Sequence, residues 1–282
     1  MMTTIDPGWR NQWEQDGFFV AQGLFSWEEI GAYREHFEHL NATLDDGAKW
    51  RDSGIEAGDP LAQYPRMVHP HRFDERSRAF MLDPRLREIM TAVLGEEPYC
   101  AQTMFYFKPP GARGQALHQD QIYLQVHPGT CLAAWLAVDD CDAANGCLQV
   151  VPGSHRLPLL CEIPADTERS FTRTTIPVPQ EMEVVDVVMK AGDVLFFHGN
   201  LIHGSEPNTT DDRFRRSLIG HYATGRAEAI ARFYHPLLRF DGTAVQVEVS
   251  PGGGACGVLE DDHGRTRIVM VATRLPEVTA PH

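Results

Sequence analysis

The chain has 282 residues, 43% of them apolar and 23% charged, which allows a packed core and makes disorder an unlikely default. Its 25 Lys and Arg stand against 39 Asp and Glu, a formal net charge of −14. No basic patch or tail of the kind that neutralises phosphates occurs, so a nucleic-acid or anionic-membrane binder is excluded as the natural reading, and no stretch approaches the ~18 apolar residues of a bilayer span.

Met1 to Asp16 carries acids and Trp where an export signal has an apolar centre, so no secretory signal is expected. Cys100, Cys131, Cys141, Cys147, Cys161 and Cys256 form no CxxC pair. They read as free thiols of a reducing cytoplasm, and the short paired spacing of a zinc cluster is missing.

In chain order, Asp16-Gly17-Phe18-Phe19-Val20 reads as a short strand. Ser26 then caps a helix to about Leu44, with Trp27, Ile30, Tyr33, Phe37 and Leu40 at three- and four-residue intervals. Residues 45–75 show no clear period, and a long loop is expected there, a candidate lid carrying Trp50, Arg51, Tyr64, Arg66 and Met67. Asp83-Pro84 opens a second helix that ends at Gly95, with Leu86, Ile89, Met90 and Val93 on one side.

From Tyr99 the pattern changes to short apolar runs between Gly, Pro and Asp/Asn clusters: 100–108, 131–138, 147–151, 183–189, 194–197 and 215–223. Six or more short strands with turn signals predict a mainly β protein, a jelly roll in its closed double-sheet form. Beyond residue 226 the reading is a short helix near 226–234 and strand-like pieces at 243–249 and 266–272, joined across Pro251–Gly254 as a hairpin. The expected organisation is one domain over 1–282: helical support at 1–97, a core at about 98–225 and a C-terminal extension at 226–282.

Leu117-His118-Gln119-Asp120 carries the chemistry. His118 and Asp120 are two apart, and on a strand such residues share a face. The apolar run from Asp193 leads through a turn to His203, a third ligand. Two His and one carboxylate occupy one face of an octahedron and leave three positions open, which suits non-haem Fe(II) binding O2 and a co-substrate. A structural zinc site would be closed by four ligands. Taken singly, His118-x-Asp120 could be a surface accident and His203 an ordinary buried histidine.

An open ferrous site needs an electron source, and a 2-oxoacid can chelate the metal while its far carboxylate meets a fixed Arg. In Phe214-Arg215-Arg216-Ser217-Leu218-Ile219-Gly220-His221-Tyr222, alternation puts Arg215, Ser217, Ile219 and His221 on one face and Arg216 on the other. One of the two arginines is expected to point inward.

These elements resemble the phytanoyl-CoA dioxygenase family of Fe(II)- and 2-oxoglutarate-dependent oxygenases, over roughly residues 14 to 225. The resemblance is carried by Asp16 to Val20, Thr103-Met104 through Lys108-Pro109-Pro110, His118-Gln119-Asp120 and Ala134-Trp135-Leu136-Ala137. It continues in Asn145-Gly146-Cys147-Leu148-Gln149-Val150-Val151-Pro152-Gly153-Ser154-His155 and in His203-Gly204-Ser205 with Asn208. It implies His118, Asp120 and His203 as iron ligands and Arg215, or Arg216 as the fallback, as the partner of the distal carboxylate of 2-oxoglutarate. Gln102, Trp135 and Ser217 fall where relatives contact that co-substrate.

A carboxylate at Asp120, where halogenating relatives have a small residue, implies hydroxylation or a related oxidation, with Fe(II), 2-oxoglutarate and O2 consumed on a small-molecule substrate. Tyr106, Gln121, Tyr123 and Phe105 are candidate residues facing the iron. Arg113 and residues 232–240 are candidates to meet an acidic group. The alternatives are a cupin-like Zn or Mn hydrolase or isomerase and a metal-binding homologue without turnover.

Overall fold

The computed structural model describes residues 5–44, 55, 58–252, 254–263 and 265–273. The chain opens with helix α1 (Gly8–Asp16), strand β1 (Phe18–Ala21) and helix α2 (Trp27–Thr43). Ser26 and Glu29 form a reciprocal capping box that starts α2. Nothing in the sequence reading announces α1, because only Trp13 on it is buried and, apart from Gly8 and the half-buried Trp9, the rest is polar. The stripe predicted for α2 is also narrower than expected, since Trp27 faces solvent.

Next come α3 (Pro60–Gln63), β2 (Met67–Val68), α4 (Glu75–Met81) and α5 (Pro84–Leu94). The expected loop at 45–75 is therefore ordered from α3 onward: β2 pairs with Phe105 and Met104, and Met67 is buried. Trp50 and Arg51 lie outside the described residues. Helix α5 follows its signals closely, with the Asp83 carboxylate accepting from Arg85 N, Pro84 in the first turn and a left-handed Gly95 at the end.

The strands then follow as β3 (Tyr99–Tyr106), β4 (Gln115–His118), β5 (Cys131–Ala137), β6 (Leu148–Val150), β7 (Ile163–Pro164) and β8 (Thr174–Thr175), with helix α6 (Gln121–Leu124) between β4 and β5. After these come β9 (Val185–Val187), β10 (Val194–His198), β11 (His203–Ser205) and β12 (Ser217–Ala223). The larger sheet has the order β1-β10-β5-β12-β3 at its centre and the smaller one β4-β11-β6-β9. This is the jelly roll with N-terminal helices.

Alternation along the larger sheet divides the core. Leu132, Leu136, Phe196, Leu218 and Phe105 pack outward against α2, α4 and α5, where Phe37 stacks on Phe105 at a ring separation of 3.9 Å. Trp135, Leu195, Phe197, Ile219 and Met104 point inward, toward Leu148 and Val150 of the smaller sheet. Because the period is two, every inward position of β12 looks into the space between the sheets.

Two expectations about the tail and thiols are corrected. The 226–234 segment is strand β13 (Ala229–Ile230) followed by a single 3-10 turn at Arg232–Tyr234. Strands β14 (Leu237–Leu238), β15 (Ala244–Val245) and β16 (Glu248–Val249) pair with β3, β14 and β13, so the hairpin is instead β17 (Gly254–Asp261) with β18 (Thr266–Thr273). Residues 243–249 are captured by the body of the protein, leaving β18 to pair with β17. Cys161 and Cys256 form a disulfide across a separation of 95 residues, and only Cys100, Cys131, Cys141 and Cys147 are free, all buried. The pairing depends on the hairpin lying along residues 159–161, where Gly257 N donates to Leu159 O and Cys161 N to Gly257 O.

Candidate metal centre

β4 ends at His118, and Asp120 is the N-cap residue of α6, in helical backbone conformation. The two ligand candidates are thus brought together by a strand turning into a helix, not by sharing a strand face. The intervening Gln119 holds that turn: its amide donates to Asn200 O at 2.9 Å and accepts from Leu160 N at 2.8 Å. His203 enters from β11, paired in register with His118. A side chain at Gly204 would strike the backbone of Gln115 and Leu117, so glycine is what allows β11 to lie this close to β4.

The ligand atoms of His118, Asp120 and His203 all lie within 4.8 Å of one another. Asp120 Oδ1 is 3.5 Å from both His118 Nε2 and His203 Nε2. Both imidazoles donate Nδ1–H to a carbonyl two residues back, His118 to Ala116 O at 2.8 Å and His203 to Leu201 O at 2.9 Å. That assignment leaves the Nε2 lone pairs aimed at the carboxylate oxygen, the tautomer a metal needs. Burial, with His203 alongside, holds the His118 imidazolium below its ordinary range and favours the neutral ligand form. The donor set of two neutral imidazoles and one buried carboxylate fits a divalent first-row metal ion, and the group comprises three residues among those described, not four.

A cavity runs from His118, His203 and His221 to Arg215, Trp135 and Ile219. Arg215 is buried, donates Nε–H to Gly146 O at 3.0 Å and reaches Ser217 Oγ at 3.3 Å, with its guanidinium 5.3 Å from the Trp135 ring centre. It has no carboxylate partner among the described residues. Arg216 points the other way, 2.9 Å from Asp139 and 2.6 Å from Glu38. The Gly146 carbonyl also accepts from the buried Lys108 ammonium group at 3.0 Å, and a Cβ on Gly146 would collide with that lysine, which accounts for the Asn-Gly pair in the motif. Burial, with Arg215 nearby, drives the Lys108 pKa well down.

Gln102 lies in register with His221 on the adjoining strand, fully buried, and neither amide atom has a hydrogen-bond partner among the described residues. Tyr106 lines the cavity, and the Tyr123 ring is 6.2 Å from that of His118. Phe105 instead faces the helices, and Gln121 is used internally, bonded to Val126 O and Cys131 N. Arg113 is ion-paired with Asp59 at 2.5 Å and lines the cavity that adjoins the first, whereas Arg239 stacks on Tyr99. Sequence reasoning missed Gln115, whose amide nitrogen is 3.2 Å from His118 Nε2. Its place three residues before His118 on one strand gave no signal, since i and i+3 lie on opposite faces of a regular strand.

A second cavity adjoins the first, sharing Tyr106, Gln115, Ser205 and Arg215. It is walled by Leu61, Tyr64, Phe171 and Arg66, whose guanidinium donates to Tyr106 Oη at 3.0 Å.

The phytanoyl-CoA dioxygenase (PhyH) family model matches residues 13–217. Phytanoyl-CoA dioxygenase 1 of Oryza sativa subsp. japonica is 28% identical over 200 residues, covering 68% of this chain and 71% of that protein. The peroxisomal phytanoyl-CoA dioxygenase of Bos taurus is 29% identical over 237 residues, 78% of this chain and 69% of the relative. In fold, the chain is similar to EctD from S. alaskensis, solved with 2-oxoglutarate and 5-hydroxyectoine, with a TM-score of 0.64, 22% identity and coverage of 88% and 86%. The epimerase SnoN from nogalamycin biosynthesis, solved with Fe3+, alpha ketoglutarate and nogalamycin RO, gives a TM-score of 0.64 at 22% identity, covering 78% of this chain and 84% of SnoN. The chain belongs to the phytanoyl-CoA dioxygenase family and is an iron- and 2-oxoglutarate-dependent oxygenase.

Proposed function

We propose that the protein hydroxylates an unactivated C–H bond of a small organic metabolite or natural-product intermediate, with His118, Asp120 and His203 as the iron ligands and Arg215 as the anchor of 2-oxoglutarate. The observation that carries this reading is one cavity with a three-residue metal face at one end and, at the other, a buried arginine that lacks an acidic partner among the described residues. A buried cation without a counter-charge is costly. A dicarboxylate whose keto-acid end reaches the metal supplies that charge.

Iron, when bound, supplies dioxygen activation coupled to oxidation of the 2-oxoacid. The protein's own residues do the positioning. Arg215 presents a planar fork to the distal carboxylate, while Gly146 O and Ser217 Oγ hold the fork in place. Trp135 backs the guanidinium, and Leu148, Phe197 and Ile219 keep water out of the space between. Gln102, buried with an unmatched amide, is assigned to the metal-side end of the co-substrate.

The adjoining cavity is the proposed substrate chamber, with apolar and aromatic walls and Arg66 to orient a polar group. The net charge of −14 disfavours a polyanionic acyl-CoA, while Arg66 and Arg113 in the chamber wall suit a small substrate that carries an acidic group. No helix among the described residues is long and apolar enough to cross a membrane. The cytoplasm, where ferrous iron and 2-oxoglutarate occur together, is the location that goes with this reading, and the disulfide departs from the usual thiol state there.

The test is anaerobic loading with Fe(II) and 2-oxoglutarate followed by oxygen. A weak visible charge-transfer band and succinate release that increases with a productive small molecule are expected. Tight Zn retention with neither signal would overturn the proposal.

A further inference from the structure

The two oxygens of Asp120 face different neighbours. Oδ1 looks at His118 and His203, 3.5 Å from each Nε2, whereas Oδ2 lies 3.3 Å from Nε2 of His221. His221 is buried on β12, on the inward face that also carries Arg215 and Ile219, and it lies beyond the last residue of the family match at 217. It is not a fourth member of the ligand group, which consists of His118, Asp120 and His203.

The surrounding fold sets His221 in place. Its cross-strand neighbours are Gln102 on β3 and Ala133 on β5. The alanine leaves room for an imidazole. Immediately after His221 the pairing with β3 slips by one residue, Tyr222 opposing Cys100, a bulge of the kind that re-aims a side chain. Tyr222 is pinned on the outer face by its hydroxyl donating to Met81 O at 3.0 Å. Asp120 itself makes no capping bond to its own helix.

We infer that His221 is a positioning residue that keeps Asp120 monodentate. A carboxylate free to swing can offer both oxygens to an ion and so occupy two of six positions. With Nε2 3.3 Å from Oδ2, short of an aligned hydrogen bond, a small turn of either group brings the imidazole N–H onto that oxygen and leaves Oδ1 as the single ligand. Three positions then stay open, two for the keto acid and one for oxygen. The inference rests on the proposed iron site, and partners of this kind around metal-ligating groups are worth about 10- to 100-fold in metal affinity.

The test uses full-length protein, anaerobic Co(II) titration and the visible band formed by Fe(II) and 2-oxoglutarate. His221→Leu removes the donor at similar size. His221→Gln can place an amide N–H where the imidazole Nε2 stands. The expected result is roughly 10- to 100-fold weaker Co(II) binding by His221→Leu, an altered Co(II) ligand-field spectrum, and a weakened 2-oxoglutarate band. His221→Gln should restore most of all three. A merely structural role would lower the melting temperature of both variants without changing the spectrum. Unchanged Co(II) affinity and spectrum in His221→Leu would overturn the inference. If that variant does not fold, a His221→Gln protein with wild-type stability but Co(II) binding weakened roughly 10-fold or more would do so as well. Absence of the band in wild-type protein would instead sink the underlying function.

Discussion

Arg215 and Arg216 are adjacent in the chain and end on opposite faces of one sheet. The first is buried in the cavity beside Trp135, and the second lies between Asp139 and Glu38. Arg215→Ala should raise the KM for 2-oxoglutarate on the order of 100-fold, as expected when one partner of a buried charge pair is lost. Arg216→Ala should leave that KM unchanged and reduce stability by about 1–3 kcal/mol, since it leaves Asp139 only half-matched. Steady-state kinetics beside a denaturant melt separates the two. Equal effects on KM would show that the cavity arginine is not the anchor.

Metal removal should be visible in stability as well as in turnover. Three ligand groups converge in the folded protein and are dispersed in the unfolded chain, so an ion at 100 times its Kd adds about 2.7 kcal/mol. Chelator-treated protein should melt several degrees lower and recover on adding Fe(II), Co(II) or Mn(II) anaerobically. Asp120→Ala should fold, show no metal-dependent shift in Tm and release no succinate. A metal-dependent shift in that variant equal to wild type would exclude Asp120 as a ligand.

Much of the site is linear enough to be read without coordinates. His118-Gln119-Asp120 and His203-Gly204-Ser205 are short motifs, and the alternation of β12, carried back into the two residues before it, separates Arg215 from Arg216. What escaped depends on contacts distant in sequence or on broken periodicity. Asp120 leaves the strand period at the start of α6, His221 acquires meaning only when α6 packs against β12, and Gln115 reaches His118 although regular alternation would part them. Helix α1 is held by Trp9 stacking on Phe19, which no amphipathic stripe announces. The Cys161–Cys256 pair joins residues 95 positions apart with no spacing motif to mark them.

Acid should destabilise the protein through the turn that follows β2. Burial, reinforced by Arg72, lowers the pKa of His69 to about 2 and that of His71 to about 3, against 6.5 for an exposed imidazole. Below 6.5 the unfolded chain takes up protons that the folded state refuses, so stability falls as pH drops from 6.5 toward 3. Each histidine contributes a slope of about 1.4 kcal/mol per pH unit in that window. His71→Asn retains a polar group near Thr103 and should flatten the slope by that amount. Urea melts at pH 6 and pH 5 measure it, and an unchanged slope would show that His71 is protonated in the folded protein.

The C-terminal hairpin should be the part of the fold most sensitive to reductant. Leu259 and Ile268 of β17 and β18 pack with Leu117 and Ile202, the residues next to His118 and His203, and the disulfide staples this layer to residue 161. Closing a loop across a separation of 95 residues is worth about 4–5 kcal/mol in the chain-entropy account. Thiol titration of denatured, unreduced protein should find the four cysteines that are free in the fold, and prior reduction should expose two more. Cys161→Ser with Cys256→Ser should lower the urea midpoint accordingly. The Fe(II)–2-oxoglutarate spectrum should persist under native conditions, because Gln119 also ties the ligand turn to Asn200, outside the segment that the hairpin lies along. Six reactive thiols before reduction would eliminate the staple, and loss of the spectrum on mild reduction would mean that the metal face depends on it.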